Sequence, residues 1–296
     1  MGNVDLHDRL AIVTGASSGL GEATARVLAA AGATVCLAVR DVGRGRATAD
    51  RIRAVVPTAD LEVAELELGD QASVRTFVTA CADRRVDVLV NNAGAIFGKE
   101  RTFTVDGFES HAGVNLLGHV TLTAGLTEAL LRSDHARVVM VTSLMAKAVG
   151  SFDPRLGEAG PYTPSRAYGQ AKLACGLFGI ELDRRAKAAA RHLTSVVVHP
   201  GWASTNLFAT EDPGPFSRVF HRIGRRIAAG PDDGAGALIR GATDLSLSGG
   251  EFIGPRFDAW GPPATQPVPL VMADPNSGKL LWELAQQRTG VRWPFD

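Results

Sequence analysis

The chain has 296 residues, 45% of them apolar, and its 31 acidic side chains balance its 31 basic ones. This length suits one large α/β domain or two small ones with a substantial core. The balanced charge excludes an overall field that would attract nucleic acid or an anionic membrane, and no run approaches the roughly 18 apolar residues of a transmembrane helix.

Short β-branched runs alternate with longer segments of helical period up to about residue 200. This alternation predicts βαβ crossovers and an α/β fold, a single Rossmann-type doubly wound parallel sheet of about seven strands with helices on both faces. The predicted strands are 9–15, 33–39, 60–66, 86–92, 136–143 and 193–200, and the predicted helices are 21–32, 45–55, 71–84, 106–132 and 165–190.

The pattern becomes irregular after residue 200. The segment 204–230 is predicted as an insertion that covers the substrate, followed by a helix and a short strand near 249–254. The C-terminal extension 255–296 combines a proline-rich loop with one predicted helix at 278–288. No Pro/Gly linker divides the chain, so residues 1–296 are predicted to form one NAD(P)-binding domain.

The N-terminal segment, the cysteines and the histidines indicate the cellular compartment and whether a metal is bound. The N-terminus "MGNVDLHDRLAIVTG" lacks the apolar core of about 7–15 residues that a signal peptide needs, which favours a cytoplasmic location. Cys36, Cys81 and Cys175 are far apart and are predicted to be buried, reduced thiols. The seven histidines show no metal-ligand spacing, so no metal site is predicted.

The turn after the first strand, "TGASSGLGE", places Gly15, Gly19 and Gly21 before the first helix. Glycines here allow a sharp turn and a close approach of the backbone to a pyrophosphate, which the helix N-terminus also attracts. The turn therefore predicts a dinucleotide site with contacts from its neighbours Ser17, Ser18 and Leu20.

The same letters fit G-x-S-x-G, the elbow that exposes a nucleophilic serine in α/β-hydrolases. On this alternative the protein is an esterase with Ser17 as nucleophile, and His199 is the candidate base. However, the hydrolase elbow follows several strands, whereas this one follows the first, and Gly21 has no role in it. The dinucleotide interpretation is favoured.

The end of the second predicted strand indicates which dinucleotide is bound. The acidic residue that grips the ribose hydroxyls of NAD is expected there, but the sequence has Val39 followed by Arg40 and Asp41. A guanidinium suits the 2′-phosphate of NADP. NADP is predicted, and NAD stays open if Asp41 takes the ribose instead.

Five further motifs follow in order: "NNAG" at 91–94, "VNLLGH" at 114–119, "VVMVTS" ending at Ser143, "YGQAK" at 168–172 and "HPGWAST" at 199–205. Together with the glycine turn they closely resemble the short-chain dehydrogenase/reductase family, from residue 8 to about 205. Within it, "TVDGFES", "AYGQAKLACGLFGIEL" and "GGEFIGPRF" are most similar to the retinol-dehydrogenase-like and WW-domain-oxidoreductase-like branch.

Hydride transfer to or from a carbonyl carbon requires a proton on the oxygen in the same event. Tyr168 is the candidate acid/base, and Lys172, one helical turn on, is expected to lower its pKa. Ser143 is expected to hydrogen-bond the substrate oxygen. Asn115 resembles the family residue that anchors a proton-relay water beside the lysine.

The resemblance also implies cofactor contacts. The lysine binds the nicotinamide ribose in the family, and Glu67 departs from the usual aspartate of an aspartate-leucine pair beside adenine. The positions that match the family's cofactor segments are Glu67, Leu68, Asn91, Ala93, Gly94, Tyr168, Lys172, Pro200, Gly201 and Thr205.

Two segments should wall the substrate, 144–165 and 206–230, and Met145, Tyr162 and Trp202 are candidate contacts. Within the second segment, Arg218, Arg222, Arg225 and Arg226 accompany an apolar stripe made by Phe216, Val219, Phe220, Ile223 and Ile227. These arginines are either a solvated side of the covering helix or a receiver for an anionic substrate or a membrane surface.

The predicted substrate is a fairly apolar ketone, aldehyde or secondary alcohol. Reduction of a carbon-carbon double bond and a non-catalytic dinucleotide sensor are the alternatives, although a sensor typically lacks the tyrosine or lysine. By analogy with the family, segments 106–132 and 164–190 suggest a homodimer or homotetramer.

Overall fold

The computed structural model describes residues 5–201 and 231–295, and within these ranges eight strands form one sheet in the order β3-β2-β1-β4-β5-β6-β7-β8. All neighbouring strands pair in parallel except β7 and β8, which are antiparallel. The strands are β1 (Leu10–Thr14), β2 (Thr34–Val39), β3 (Asp60–Glu65), β4 (Val88–Asn91), β5 (Ala136–Val141), β6 (Leu193–Val198), β7 (Phe252–Pro255) and β8 (Pro263–Gln266).

Helices cover both faces of the sheet, which confirms the predicted α/β doubly wound fold. One apolar core packs the sheet against α3, α5, α7 and α10, and the other packs it against α1, α2 and α8. The helices are α1 (Gly19–Ala30), α2 (Val42–Val55), α3 (Gln71–Ala80), α4 (Ser110–Ala112), α5 (Gly118–Gly125), α6 (Thr127–Leu130), α7 (Pro164–Ala188), α8 (Pro231–Thr243), α9 (Leu270–Ala273) and α10 (Pro275–Thr289).

Strand order reverses between β1 and β4, because β2 lies on one side of β1 and β4 on the other. In such sheets the crevice beyond the carboxyl ends of these two strands is where ligands bind. The glycine turn follows β1 and the segment 91–94 follows β4, so the fold brings both to this crevice.

The eighth strand is an addition to the predicted sheet. The sequence predicts a proline-rich loop over residues 255–277. In the structure Pro263–Gln266 pairs with β7, and Pro263 lies opposite Pro255 at the end of the ladder. Proline is tolerated here because β8 is an edge strand, where a missing N–H leaves no central ladder bond unmade.

The single helix predicted at 106–132 is wrong in its start and in its continuity. The helix begins at Ser110, since the preceding residues form a turn closed by a bridge between Phe103 and Glu109. Residues Gly113–Leu117 then form one π-helical turn before α5, and a second break separates α5 from α6 near Gly125.

Helix α7 carries Tyr168 and Lys172 and is buried on two sides. Its N-cap Thr163 accepts a hydrogen bond from the Arg166 N–H, and a proline follows at the first helical position. Beyond Tyr168 its outer face packs against the C-terminal extension, where Phe178 stacks on Trp282 at 5.8 Å and Trp282 stacks on Trp293 at 4.4 Å. A homodimer through this helix would therefore need a face other than the one that carries Phe178.

None of the helices within residues 5–201 and 231–295 combines the length and the apolar character that crossing a membrane requires.

We expect the substitution Trp282→Ala to lower the free energy of unfolding by about 3–5 kcal/mol, because it removes a fully buried aromatic side chain. Urea denaturation followed by circular dichroism measures this change. Leu280→Ala on the same helix is the matched control, since Leu280 is 45% exposed. Equal stability of the two variants would show that the C-terminal extension does not support α7.

Candidate active site

The glycine turn after β1 is shaped by close packing. Gly15 and Gly19 have φ of +65° and +58°, a conformation that side chains disfavour. A Cβ on Gly15 would lie 2.9 Å from the Cα of Ala93, and one on Gly21 would lie 2.5 Å from the Gly15 carbonyl oxygen. The turn therefore rests directly on the segment after β4.

Helix α1 begins at this turn with its first N–H groups uncapped. Within the part of the chain that the structure describes, the N-cap Ser18 makes no side-chain cap hydrogen bond to α1. Such N–H groups and the helix dipole favour a pyrophosphate. The residues present thus fit a dinucleotide. Ser17 contributes its carbonyl to the Thr48 hydroxyl, and Leu20 is buried behind the turn.

Thr14, at the end of β1, joins the two sides of the crevice. Its hydroxyl oxygen accepts hydrogen bonds from the N–H groups of Asn92 and Ala93, both at 2.9 Å. The Asn92 side-chain amide also donates to the Thr14 carbonyl at 2.8 Å. Next to it, the buried Asn91 donates to Thr123 and so ties β4 to α5.

His119 completes this network and was not among the residues that the sequence singled out. Its Nδ1 lies 3.0 Å from the Asn115 carbonyl oxygen and its Nε2 lies 3.0 Å from the Thr14 hydroxyl. A carbonyl only accepts, so Nδ1 carries the proton and Thr14 donates to Nε2. Burial lowers the pKa of His119 to about 3, so it is neutral at physiological pH.

Asn115 lies in the π-helical turn and holds the loop after β4. Its Oδ1 accepts from the Ala95 N–H at 2.7 Å, and its Nδ2 donates to the Ala95 carbonyl at 3.0 Å. Its own carbonyl accepts from His119 and from the Cys175 thiol. A Cβ on Gly94 would lie 3.1 Å from Asn115 Oδ1 and 3.2 Å from Lys172 Nζ, so glycine is needed where the two side chains converge.

Tyr168 and Lys172 are both buried in α7 beside Ser143. The Lys172 ammonium donates to the Val141 carbonyl at 3.0 Å, and burial lowers the pKa of this lysine. Burial raises the pKa of Tyr168, and a hydrogen bond with Ser143 acts in the opposite direction. The net direction of the Tyr168 pKa is therefore opposite to the one that the sequence suggests, because burial outweighs the hydrogen bond with Ser143.

Two predicted substrate contacts lie near these groups. Ser143 caps the 3-10 turn Leu144–Ala148, where its Oγ accepts from the Met145 N–H at 3.2 Å, and Met145 is half-buried. The Tyr162 hydroxyl donates to Glu109 at 3.2 Å. Burial, followed by the Glu109 charge, raises the pKa of Tyr162 to about 12.

The candidate 2′-phosphate residue Arg40 has a side chain that is 78% exposed and lies 3.6 Å from Glu67. Asp41 instead caps α2, since its carboxylate accepts from the Arg44 N–H at 3.0 Å. The Glu67 carboxylate folds back onto its own turn and accepts from the Gly69 N–H. Leu68 is buried in the core, so any contact it makes with adenine would come from its backbone.

The segment after β6 is held in place by a hydrogen bond to His199, which in turn is bonded to β8. The Gly201 N–H donates to His199 Nδ1 at 3.3 Å, so Nε2 carries the proton and donates to Gln266 on β8 at 3.1 Å. Pro200 and Gly201 lie at the edge of the crevice. Thr205, Trp202, the insertion 204–230 and its arginines and apolar stripe lie outside the described residues.

The esterase hypothesis is wrong on geometry. Ser17 follows β1 and His199 ends β6, and β4 and β5 separate these strands in the sheet. His199 is also committed to Gln266 and Gly201. His199 is therefore not placed to act as the base for Ser17.

Four residues of this site, Asn92, Glu109, His111 and His119, are not among those predicted from the sequence. One signal could have found two of them, because 111, 115 and 119 recur at four-residue spacing and so lie on one face of a helix. Histidine, asparagine and histidine at these positions, in a largely apolar segment, are unusual for a buried face.

The family model described as short chain dehydrogenase matches residues 9–214. Retinol dehydrogenase 12 of Mus musculus is 39% identical over 203 residues, which span 67% of this chain and 63% of that protein.

Solved structures agree with this match. The crystal structure of an uncharacterised protein from Mycobacterium paratuberculosis has a TM-score of 0.81 at 36% identity and covers 98% of this chain and 97% of its own. A structure from Beutenbergia cavernae, described as an NAD(P)-dependent gluconate 5-dehydrogenase with bound NADP, has a TM-score of 0.66 at 27% identity and covers 86% of this chain and 97% of its own.

We expect His119 to make stability depend on pH. Its pKa is about 3 when folded and 6.5 ordinarily, so below about pH 6.5 the unfolded chain binds a proton that the folded protein does not. The contribution is complete above that pH and is lost as pH falls, by up to about 1.4 kcal/mol per pH unit. Urea denaturation between pH 7 and pH 4.5 should give a shallower loss for His119→Gln than for wild type.

The matched control is His192→Gln, because His192 is exposed at the surface. It should show the wild-type slope. If His119→Gln also shows that slope, His119 does not stay neutral in the folded protein.

Proposed function

Because this chain belongs to the short-chain dehydrogenase/reductase family, in its retinol-dehydrogenase-like branch, we propose that it transfers a hydride between NADP and a carbonyl or carbinol carbon. The enzyme class follows from the family, whose members bind NAD or NADP. The proposed substrate is a fairly apolar ketone, aldehyde or secondary alcohol. The observation that carries this proposal is that Tyr168 lies beside Ser143 while Lys172 lies against Gly94, next to the Ala93 on which the glycine turn packs.

The bound dinucleotide supplies the hydride in reduction and accepts it in oxidation. In reduction, Tyr168 donates its hydroxyl proton to the substrate oxygen while Ser143 hydrogen-bonds the same oxygen. A raised pKa suits this role, since it keeps Tyr168 protonated and able to donate. Lys172, held against Val141 and next to Asn115, supplies a buried donor for the ribose side of the site.

An apolar substrate is supported by the side chains near Tyr168. Phe97 and Tyr162 both contact the ring of His111, which in turn packs against Tyr168. Met145 lies two residues beyond Ser143 and is half-buried. Removing the apolar surface of a ligand from water against such groups is favourable.

A preference for NADP over NAD is supported by the residues between the end of β2 and the start of α2. Asp41, which would have to hold the ribose hydroxyls of NAD, is engaged in capping α2. The Arg40 guanidinium is exposed and pairs only loosely with Glu67, so it is available to a phosphate. A cytoplasmic location, the single domain 1–296 and a homo-oligomeric state stay predictions.

We expect Tyr168→Phe to lower kcat/KM by about 10²–10⁴-fold, because the general acid is removed while the ring that packs against His111 remains. A spectrophotometric screen of ketones and aldehydes with NADPH and NADH measures this, with product analysis on an unsaturated ketone to separate C=O from C=C reduction. A circular dichroism spectrum and a urea midpoint equal to those of wild type serve as the folding control. Equal turnover by the mutant would exclude Tyr168 as the acid/base.

We expect Arg40→Ala to raise KM for NADPH by about tenfold or more, since a hydrogen bond to a charged phosphate is lost. KM for NADH should change by less than about twofold, because NADH lacks that phosphate. Arg46→Ala, an exposed arginine of α2, is the control. An unaltered KM for NADPH would remove the NADP assignment.

A further inference from the structure

A buried carboxylate and imidazole lie beside Tyr168, outside the residues that the proposed reaction uses. The side chains of Glu109 and His111 are 1% and 0% exposed, and His111 Nδ1 lies 2.8 Å from Glu109 Oε1. Glu109 also accepts from the Ala112 N–H at 3.0 Å. Burial alone would raise the pKa of Glu109, but these hydrogen bonds outweigh it and lower the pKa below its ordinary value.

The contacts of His111 assign the roles of its two ring nitrogens. Its Nε2 accepts from the Phe97 N–H at 3.0 Å, and an amide nitrogen can only donate. Nδ1 therefore carries the proton and donates it to Glu109. This arrangement, in which a carboxylate orients an imidazole, fixes both the position and the rotation of the ring.

His111 and Asn115 hold the loop after β4 at two points. Asn115 binds both backbone groups of Ala95, and His111 binds the N–H of Phe97, two residues further on. The two side chains are four residues apart and so lie on the same helix face. The orientation of Phe97 thus depends on His111, as that of Ala95 depends on Asn115.

Three aromatic rings surround that of His111. The centroid distances are 5.2 Å to Phe97, 6.2 Å to Tyr168 and 6.4 Å to Tyr162. The Tyr162 hydroxyl donates to the same Glu109 oxygen that accepts from His111. Phe97 and Tyr162, which flank His111 together with Tyr168, are therefore attached to one pair of residues, and Phe97 is half-buried.

We propose that His111, oriented by Glu109, is a positioning residue that sets Phe97 and Tyr162 as the aromatic wall beside Tyr168 and so determines how well bulky apolar carbonyl compounds are accepted. This inference rests on the proposed function, since it assigns the substrate wall of the same site. His111 itself has no free nitrogen for proton transfer, because Nδ1 and Nε2 are both engaged.

Two substitutions separate the two hydrogen bonds of His111. In His111→Asn the side-chain N–H replaces Nδ1 and keeps the bond to Glu109, but no acceptor reaches the Phe97 N–H. In His111→Gln the carbonyl oxygen replaces Nε2 and keeps that acceptor, while the donor to Glu109 is lost. Steady-state kinetics with a compact ketone, such as cyclohexanone, and a bulky one, such as benzophenone, then measures how the aromatic wall affects KM and kcat for substrates of different size.

For His111→Asn, KM for the bulky ketone should rise about tenfold, as for a disturbed apolar pocket. Its kcat and the KM for the compact ketone and the cofactor should stay within about twofold, because Tyr168, Lys172 and the glycine turn are unaltered. His111→Gln should restore KM for the bulky ketone to within about threefold of wild type, since Phe97 regains its acceptor. Phe97→Leu, which needs no new hydrogen bond, should shift the same size preference.

A uniform loss of kcat with all substrates, or an unchanged preference for size in all three variants, would overturn the role of His111. Absence of carbonyl turnover by the wild-type enzyme, or full turnover by Tyr168→Phe, would instead overturn the proposed function, and the inference with it. Wild-type turnover that depends on Tyr168, together with an unaltered size preference, overturns the inference alone.

Discussion

The hydroxyl of Thr14 is the contact on which the geometry of this site depends. It accepts the half-buried N–H groups of Asn92 and Ala93 and donates to the buried His119. Without it, the buried imidazole nitrogen would lose its partner, at a cost of about 1–3 kcal/mol, and the two N–H groups would lose theirs at a smaller cost. Together with the bond from the Asn92 amide to the Thr14 carbonyl, this oxygen holds the glycine turn after β1 against the segment after β4. This side of the crevice is therefore formed by contacts within the chain itself.

One helix face extends this hydrogen-bond network from Thr14 toward Phe97. His111, Asn115 and His119 recur at four-residue spacing, and each binds backbone or a hydroxyl of the strands and loops at the crevice. In the π-helical turn between them, the Asn115 carbonyl accepts from the His119 ring and from the Cys175 thiol. Such turns are often associated with functional sites, because they change the direction of a side chain without ending the helix. The glycine turn and the proposed aromatic wall are therefore both held in place by side chains of this helix face.

Much of this could be predicted from the sequence, since periodicity and glycine position are local signals. The glycine turn, the parallel strands and α7 with Tyr168 and Lys172 follow from them. The π-helical turn could not be predicted, because it depends on tertiary contacts such as the Leu68 carbonyl packed against Gly118. β8 was missed because prolines argue against a strand unless its edge position is known. The direction of the Tyr168 pKa depends on burial, which spacing between residues does not reveal.

The aromatic stack of Phe178 on Trp282 and Trp293 also constrains how the protein is made. During synthesis α7 and β6 leave the ribosome well before Trp282 does, so the outer face of α7 stays uncovered while most of the sheet can already pair. An incomplete chain then presents an apolar helix surface, which favours association with other chains or with chaperones. The active site can be assembled in outline early, but the helix that carries its tyrosine is fully packed only after translation has passed Trp293.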